Sequence, residues 1–418
     1  MKRTYKLLTG VLATGALFSL SACGGKEEKS SEAKPKELIV SVEQDNYANF
    51  VNDVKGKFEK ENDIKVKVVK KPMTDQCDAI QLDGPSGKGP DVFIAPNDRV
   101  GAMGKQGQLL ETKNLPKDYK ESEKKLVTIN DKQYGVPLTI ESLVMFYNTD
   151  LVKKAPKTFA DLEKIAKDPR FAFEEEKGKN TGFLAKWTDF FYGAGLIQGY
   201  GGYIFGDNGT NPNKLGLATK DSVKAVDYAW DWYNNVWPKG MKDVKGAGDF
   251  VTERFTSKKA AAIIDGPWMA ETYKKAGIKF EAAKIPTLPN GKDYKPFAGG
   301  KSWVGSAYTK NKELTEKLMN YLGSSENESK FYKMTSEVPA NPESRNKVDK
   351  SDKVAKAVIE QFNVAKPTPN IPEMAEVWTG AESMMYDAVS GPKDKVASVL
   401  KEANKNIESS IKEKYQNQ

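Results

Sequence analysis

The first 23 residues have the pattern of an export signal that ends in a lipidation motif. Three basic residues, the last of them Lys6, precede an apolar stretch from Leu7 to Leu20, and Leu20-Ser21-Ala22-Cys23 closes the segment. The stretch is shorter than the ~20 apolar residues that span a bilayer, and its order of charge, apolar run and small residues is typical of a secretory signal. We predict a signal peptide over residues 1–22 and a diacylglycerol on the sulfur of Cys23.

A lipidated Cys23 leaves the exported part of the chain with one cysteine, Cys77, and therefore with no internal disulfide. Exported proteins often depend on disulfides, so this chain must be held by the packing of its core. Its 418 residues, 39% of them hydrophobic, are enough for two to three domains. No motif near Cys77 marks an activated thiolate, and we predict a small structural residue there.

Composition excludes several classes of function. The chain has no histidine, which rules out Ser-His-Asp and Cys-His catalysis and histidine metal sites. Its formal charge is +8, or +5 once the three basic residues of the signal are removed, and the charges are interleaved, which is typical of a solvated surface rather than a nucleic-acid interface. The nucleotide, calcium and nucleophile-elbow patterns also fail, so we predict no cofactor, no metal and no catalytic residue.

The pattern after Cys23 predicts a tether and then an α/β fold. Residues 23–37 lack aromatics and should form a disordered link. From Leu38 onward, short β-rich runs alternate with helical patterns, which indicates a largely parallel sheet. Such sheets carry ligand residues at the carboxyl ends of their strands. Farther on, Trp230, Tyr233 and Trp237 have the spacing of one helical face, which we interpret as core packing.

Several segments match one family in order along almost the whole mature chain. They include Phe58-Glu59-Lys60, Asn97-Asp98-Arg99, Tyr134-Gly135-Val136-Pro137, Gly266-Pro267-Trp268, and Pro369-Asn370-Ile371-Pro372-Glu373-Met374 with Trp378. Gly-Pro-Trp and Tyr-Gly-Val-Pro occur across many sugar-binding lipoproteins, whereas Asn-Asp-Arg combined with Asn-Ile-Pro-x-Met and a following tryptophan is narrower. On these residues the chain resembles the extracellular maltose/maltodextrin-binding proteins of ABC importers.

The resemblance implies a two-lobed, periplasmic-binding-protein-like fold of type II, with a ligand cleft between lobes joined by three hinge crossings. It implies an N-terminal lobe of residues 38–140 plus 303–348 and a C-terminal lobe of residues 145–297 plus 349–418. The crossings would fall near 140–144, near 298–302 and around Val348. The two lobes would close over the ligand by the hinge motion of exported binding proteins.

The resemblance also implies a carbohydrate site. Charged and amide side chains would bond to sugar hydroxyls, and aromatic faces would stack on the apolar faces of the rings. The implied ligand-binding residues are Asp45, Asn46, Asp98, Arg99, Glu141, Asp189, Phe191, Tyr192, Trp268 and Trp378. Asn46 stands where a lysine is common and Asp189 where the family has a glutamate. Phe191 or Tyr192 would take the place of a stacking tyrosine, with Trp187 as an alternative.

Three positions depart from the family pattern. Ala95 replaces a tryptophan, Thr379 a tyrosine and Glu382 an arginine. Fewer aromatic walls weaken the stacking of a short ligand and leave room for a longer one. We therefore predict a preference for maltodextrins over maltose.

The function implied is that of a non-enzymatic lipoprotein at the extracellular face of the cell membrane. As a monomer it would bind maltodextrins and deliver them to an ABC permease driven by an ATPase, with no nucleic-acid partner. Three alternatives stay open at this point: a binding protein for another oligosaccharide such as a xylan or galactoside fragment, a surface glycoside hydrolase with paired carboxylates, and an adhesin that holds glycogen. The 57 acidic residues leave the hydrolase possible, although no carboxylate pair stands out.

Overall fold

Strands and helices alternate through the first hundred described residues, as the sequence predicts. The computed structural model describes residues 37–129 and 131–416, and Glu37, expected to end the tether, already belongs to a strand. The predicted signal peptide, Cys23 and the rest of the tether lie outside these residues. The strands are β1 (Glu37–Val42), β2 (Lys65–Lys70), β3 (Val92–Pro96), β4 (Thr128–Ile129), β5 (Lys132–Gln133), β6 (Val136–Pro137), β7 (Val144–Asn148), β8 (Phe183–Leu184), β9 (Asn211–Leu215), β10 (Ala262–Asp265), β11 (Phe280–Ala283), β12 (Phe297–Ala298), β13 (Lys301–Gly305) and β14 (Lys366–Pro367).

The helices cover both sheets and pack their apolar faces inward. They are α1 (Asp45–Asn62), α2 (Met73–Asp83), α3 (Asn97–Lys105), α4 (Glu121–Lys124), α5 (Phe159–Ile165), α6 (Phe190–Tyr200), α7 (Gly206–Gly209), α8 (Lys220–Asp231), α9 (Ala247–Thr256), α10 (Ala270–Lys275), α11 (Lys312–Leu322), α12 (Ser325–Thr335), α13 (Pro342–Arg345), α14 (Lys353–Phe362), α15 (Met374–Ser390) and α16 (Val396–Ile411). Short 3₁₀ turns occupy Lys125–Val127, Pro169–Phe171, Lys239–Lys242, Pro267–Met269 and Lys393–Lys395, and π turns occupy Trp232–Val236 and Lys412–Gln416. Among the described residues no helix is both long and apolar enough to cross a membrane.

The first sheet has the strand order β2-β1-β3-β13-β6. Strand β1 runs parallel to β2 and β3, whereas β13 enters from far down the chain and pairs antiparallel with β3 and β6. Helix α1 covers this sheet because its apolar residues recur at helical spacing, and Tyr47, Phe50 and Phe58 are fully buried. Burying one such side chain contributes about 1.5–3 kcal/mol.

The second sheet has the order β11-β7-β10-β8, with β7 antiparallel to both of its neighbours. Helices α6, α8, α15 and α16 pack together beside it. Its core is aromatic: the rings of Trp187 and Trp237 lie 4.9 Å apart, centroid to centroid, and both side chains are fully buried. The two sheets give the molecule its two α/β lobes.

The predicted helical face through Trp230, Tyr233 and Trp237 is only partly correct. Helix α8 ends at Asp231, a π turn carries Tyr233, and Trp237 lies after it with extended φ and ψ of −82° and 151°. Pro238 follows, and the residue before a proline is disfavoured in the helical region. Tyr233 and Trp237 are nevertheless buried in the core, as expected, and Trp230 is half-buried.

Three chain segments lie side by side between the sheets. Residues 138–141 form the middle segment, bonded on one side to 299–301 and on the other to 338–340. Glu141 and Gly299 exchange backbone hydrogen bonds, each of 3.0 Å, and Ile140 donates to the carbonyl of Val338 at 3.0 Å. We call this ribbon the crossing segments. The lobe boundaries stated above stay a prediction.

Cys77 is buried in the first lobe as a free thiol. It packs in a small apolar cluster with Ile80 and Phe93, beside the first sheet. Burial raises the pKa of its thiol to about 12, so the thiolate is suppressed at neutral pH. The prediction of a small structural residue is confirmed.

Candidate functional site

Five aromatic side chains from four separate chain segments meet in the second lobe. We call them the aromatic cluster: Phe190, Phe191, Trp268, Phe297 and Trp378. The Phe191 ring is central, with its centroid 6.1 Å from that of Trp268, 5.9 Å from that of Phe297 and 6.4 Å from that of Trp378. Phe190 and Phe297 are buried beneath, whereas Trp268 is 46% exposed, so the cluster has a packed base and an open aromatic face.

Local structure places each ring. Asp189 caps α6 by accepting a hydrogen bond from the Phe191 N–H at 2.9 Å, which fixes the first turn of the helix. Trp268 sits on the 3₁₀ turn that follows β10, and Pro267 starts that turn with its preset φ. Trp378 lies in the first turns of α15, with its ring centroid 5.4 Å from that of Phe297 on β12. Burial raises the pKa of Asp189.

Asp265, which the sequence analysis did not single out, links two parts of this cluster. Its buried carboxylate accepts hydrogen bonds from the hydroxyls of Tyr192 and Tyr273, both at 2.6 Å, and from the N–H of Gly266 at 2.8 Å. The same aspartate therefore fixes the residue after Phe191 and the turn that leads to Trp268. The Gly266-Pro267-Trp268 motif draws attention to this turn, but not to the acid before it.

Phe191, Tyr192 and Trp187, the three candidates for one stacking position, have different surroundings in the structure. Phe191 is half-buried and joins the aromatic cluster. Tyr192 points its hydroxyl at Asp265, is 3% exposed, and carries the Lys186 ammonium 4.2 Å from its ring centroid. Burial raises the pKa of Tyr192 well above its ordinary value. Trp187 is fully buried in the core, so the proposal that it could replace Phe191 is wrong.

On the first lobe, Asp98 and Arg99 lie in the first turn of α3, directly after β3. Asp98 is half-buried; burial raises the pKa of its carboxyl, and the negative charge of Glu141 adds to the rise. Arg99 donates to the carboxylate of Asp78 on α2 at 2.6 Å and keeps 38% of its side chain exposed. Two carboxylates and one guanidinium group thus lie near the carboxyl end of a strand.

Glu141 lies in the crossing segments and is paired with a lysine that the sequence analysis missed. Lys301 donates to Glu141 Oε2 at 3.2 Å and to Glu337 Oε2 at 2.8 Å. Tyr47 donates its hydroxyl proton to the other carboxylate oxygen of Glu337. No sequence signal identifies this group, because its members come from four distant parts of the chain.

The remaining polar candidates are more peripheral. The Asp45 side chain is 82% exposed and accepts from Lys70 Nζ at 2.6 Å, which lowers the pKa of Asp45. Asn46 is half-buried and accepts from the N–H of Tyr47 at 3.0 Å. Asp45 therefore lies beside β2, paired with a lysine. Among the described residues, no hydrogen bond or ion pair joins Asp45 to another candidate ligand-binding residue.

The Asn-Ile-Pro segment touches the other lobe. Asn370 Oδ1 accepts from the N–H of Gly101 on α3 at 2.6 Å, and Asn370 Nδ2 donates to the carbonyl of Leu126 at 3.4 Å. A side chain at Gly101 would collide with Asn370, since an added Cβ would lie 2.3 Å from its backbone oxygen. This contact joins α3 to the segment that leads into α15 and Trp378.

The departures from the family pattern are also visible. Ala95 is buried in β3, whereas Thr379 and Glu382 are exposed on α15 after Trp378. Thr379 lines a groove of about 360 Å³ between α15 and α16.

These groups have the chemistry that a carbohydrate needs. Exposed aromatic faces stack on apolar ring faces, and carboxylates with a guanidinium group bond to hydroxyls. Among the described residues, no cluster of three or more cysteine, aspartate or glutamate side chains has the arrangement of a metal site. The arrangement can therefore bind a neutral polyhydroxy ligand through side chains alone.

Comparison with known proteins gives one family. The profile described as bacterial extracellular solute-binding protein matches residues 54–361. Maltodextrin-binding protein MdxE of Bacillus subtilis (strain 168) is 52% identical over 408 residues, which are 97% of each chain. A maltooligosaccharide ABC transporter solute-binding lipoprotein of Streptococcus pneumoniae (strain ATCC BAA-255 / R6) is 45% identical, covering 99% of this chain and 100% of the relative. A galactooligosaccharide-binding protein of B. subtilis (strain 168) is 36% identical, covering 99% of both chains.

Solved structures show the same similarity. The maltose-binding periplasmic protein MalE of Listeria monocytogenes, in complex with maltose, has a TM-score of 0.87 and 53% identity; the match covers 92% of this chain and 100% of that one. MalX of S. pneumoniae, in complex with maltopentaose, has a TM-score of 0.84 and 45% identity, with 89% of this chain and 100% of that chain covered. In both comparisons the sequence identity is high as well as the TM-score, so the similarity extends beyond the fold.

Proposed function

The chain belongs to the bacterial extracellular solute-binding proteins, and from this premise we propose that it captures maltodextrins outside the cell and delivers them to an ABC importer. It is a binding protein and not an enzyme, as its relatives are named. The observation that carries the proposal is the packing of Trp268 and Trp378 around Phe191, together with Asp98 and Arg99 of the first lobe and Glu141 of the crossing segments. Relatives covering nearly the whole chain bind maltodextrins or maltooligosaccharides by name.

The two lobes would contribute different interactions to the sugar. Phe191, Trp268 and Trp378 of the second lobe would stack on the ring faces, while Asp98 and Arg99 of the first lobe and Glu141 of the crossing segments would bond to hydroxyls. Asp45 and Asn46, at the start of α1, would add further hydrogen bonds to hydroxyls. Asp189 and Tyr192 support the site, since Asp189 caps α6 and Tyr192 bonds to Asp265. A micromolar affinity needs about 8 kcal/mol, which stacking and a few charge-assisted bonds supply.

Closure links binding to delivery. The crossing segments join an N-terminal lobe of residues 38–140 plus 303–348 to a C-terminal lobe of 145–297 plus 349–418. A ligand that contacts both lobes binds the closed state more tightly than the open one and shifts the population toward closure. The permease, with its ATPase, then receives the closed form.

The protein is held at the extracellular face of the membrane by the diacylglycerol on Cys23. The relative in S. pneumoniae is named a lipoprotein, which supports this placement. Residues 23–37 would link the anchor to the folded body, which acts as a monomer. A diacylglycerol carries two acyl chains, which are sufficient to attach a protein stably to the membrane.

We infer the preferred ligand length from the departures from the family pattern. Ala95 and the exposed Thr379 carry no aromatic ring, so a disaccharide finds fewer stacking surfaces. We expect affinity to rise from maltose to maltotetraose. A solved relative holds maltopentaose, which supports a site that accepts long chains.

A galactooligosaccharide is the second candidate ligand, because a relative named for it is 36% identical over almost the whole chain. Calorimetric titration with maltose, maltotriose, maltotetraose and a galactooligosaccharide separates the two, with tryptophan fluorescence followed in parallel. Micromolar binding of the glucans with a fluorescence change supports the proposal. Binding of the galactoside alone transfers the function to the second candidate, and tightest binding of maltose contradicts the predicted length preference.

A further inference from the structure

One lysine side chain connects two of the crossing segments and the residue that precedes the third. Lys301 lies in the second crossing, at the first residue of β13, and its side chain is only 11% exposed. Its ammonium group is 3.2 Å from the carboxylate of Glu141 in the first crossing and 2.8 Å from that of Glu337, which precedes the third. Both carboxylates are themselves mostly covered, at 22% and 24% exposed.

The backbone around Lys301 is fixed on the same side. Its N–H donates to Thr139 Oγ1 at 3.1 Å, and its carbonyl accepts from the N–H groups of Leu138 and Thr139 at 2.8 and 3.1 Å. The base of the side chain is therefore tied to the segment that carries Glu141, two residues beyond Thr139. Because both backbones are held in this way, the ion pair with Lys301 restricts the rotamers that the Glu141 side chain can adopt.

The charge balance makes this lysine necessary. Glu141 and Glu337 bring two carboxyl groups to one ammonium group. Burial alone would lower the pKa of Lys301, but Glu141 and Glu337 raise it well above its ordinary value, so it stays charged. An unpaired carboxylate in a covered position is costly and tends to take up a proton instead.

We propose that Lys301 is a positioning residue of the sugar site, which holds the Glu141 carboxylate oriented to accept a hydrogen bond from a ligand hydroxyl. The inference rests on the proposed function. Lys301 acts through Glu141 and not by contact with the sugar, because its side chain is only 11% exposed and its ammonium group points two of its three N–H donors at carboxylates. Glu337 is the second anchor of the ammonium group and has no part in the ligand contact.

The test is a double-mutant cycle on maltotetraose affinity with the full folded chain. K301M keeps the length of the side chain and removes the charge, and E141Q removes the charge of the glutamate. Each single change should weaken binding about tenfold, the size of one lost charge-assisted hydrogen bond. In the E141Q background, K301M should change the affinity less than twofold. K301Q, which keeps an uncharged N–H₂ donor group, replaces K301M should that variant not purify as a folded protein.

E337Q is the matched control, since it removes the other partner of Lys301 and leaves Glu141 paired. It should lower the melting temperature and change the affinity less than twofold. A conservative variant adds a readout that a purely structural role would not move. K301R keeps the positive charge, so it should bind maltotetraose more tightly than K301M.

Two results overturn the inference: K301M that binds maltotetraose within twofold of the wild type, or K301M that weakens binding equally with and without E141Q. The first means that the pair does not matter to the ligand, and the second that Lys301 acts structurally or directly. A wild-type protein that binds no glucan overturns the proposed function and this inference with it, and the wild-type titration distinguishes that case.

Discussion

The carboxylate of Asp265 accepts a hydrogen bond from the hydroxyl of Tyr192 at 2.6 Å, which connects the turn before Trp268 to the first turn of α6. The same carboxylate also accepts from Tyr273 and from the N–H of Gly266. Three donors converge on one buried acid; one belongs to Tyr192, next to Phe191, and another to Gly266, two residues before Trp268. The open aromatic face therefore depends on a polar group beneath it.

Replacing this acid by its amide should disturb both stability and binding. In D265N one acceptor oxygen becomes an N–H₂ group, which opposes a donor and leaves it without a partner; a buried unsatisfied group costs about 1–3 kcal/mol of unfolding free energy. We expect maltotetraose affinity to fall about three- to tenfold, as the Trp268 turn loses its fixed position.

Urea melts and calorimetry check this, with two comparisons. Y192F removes a single donor and should have a smaller effect on both quantities. D221N alters an exposed acid that pairs with Lys224 on α8, and neither quantity should change. Wild-type affinity in D265N would mean that the turn holds Trp268 without the acid.

Loss of either tryptophan of the aromatic cluster should weaken sugar binding. W268A and W378A each remove an aromatic face, and large aromatic residues at the centre of a binding site commonly contribute 2 kcal/mol or more, so we expect about 30-fold weaker binding of maltotetraose. W268A should change unfolding free energy by less than about 1 kcal/mol, since that side chain is 46% exposed. W378A should cost more, because its ring packs on Phe190 and Phe297.

Tyr386 supplies the matched control for the tryptophans. It lies on α15 like Trp378 and is 44% exposed, but the structure gives its ring no contact with the aromatic cluster in the described part of the chain. Y386A should bind maltotetraose as the wild type does. Equal losses in Y386A and W378A would point to a general effect on α15 rather than to stacking.

Two adjacent glycines in the crossing segments should respond very differently to alanine. Gly300 has a φ of +154°, and an added Cβ would lie 1.9 Å from the carbonyl oxygen of Thr139. At Gly299 the nearest atom, Thr368 Oγ1, would be 3.7 Å away, an ordinary contact. We expect G300A to lower the unfolding free energy by about 3 kcal/mol and G299A to change it by less than about 1 kcal/mol.

Thermal and urea unfolding of the two variants measure the difference. Sugar affinity should follow the same order, because a displaced middle segment moves Glu141. G300A with wild-type stability would show that the close approach of the two crossings can relax at little cost.

Glu328 should make stability fall as pH rises. Its carboxyl group is fully buried, and burial raises its pKa well above the ordinary value. The hydroxyl of Tyr119 lies 2.5 Å from a Glu328 oxygen, 2.6 Å from the carbonyl oxygen of Pro137 and 2.9 Å from that of Gly323. One hydroxyl proton cannot serve three acceptors, so a proton on Glu328 completes the network.

The sign follows from linkage. A carboxyl whose folded pKa is raised contributes stability that is fully present below the unfolded pKa of about 4.3 and is lost as the pH rises through the folded pKa. E328Q mimics the neutral acid, so its stability relative to the wild type should increase with pH over that window. A pH series of urea melts, compared as the difference between the two proteins, isolates this group. A large loss of stability in E328Q at every pH would instead indicate an ionised glutamate that needs its charge.

Local patterns predicted much of the fold but little of the contacts around the site. Val66 and Val68 alternate with lysines, and this two-residue period reports a half-exposed strand without any tertiary information. Phe191 and Tyr192 show the limit. Adjacent helical residues point about 100° apart, so which of them faces the cluster depends on the register that Asp189 sets as the cap. That register is a property of the folded helix and not of composition.

The same limit applies to the partners of the candidate residues. Lys301 follows two glycines and begins an apolar strand, and nothing in that surrounding sequence indicates two carboxylates from other segments. Asp45 matches a family ligand residue in sequence, yet Lys70 on the neighbouring strand is its partner in the structure. Both pairings arise from the spatial order of strands, which depends on long-range contacts.

The place of β13 in the first sheet has a consequence for the order in which the chain folds. The strand lies between β3 and β6, yet it comes from residues 301–305, after the whole second sheet. The first lobe therefore cannot complete its sheet until most of the chain has been synthesised. Pairing over such separations is slow, because the entropy of closing a long loop must be overcome before the contacts form. A chain with this order of strands therefore stays without a finished core for longer than one whose first sheet is built from its first residues alone.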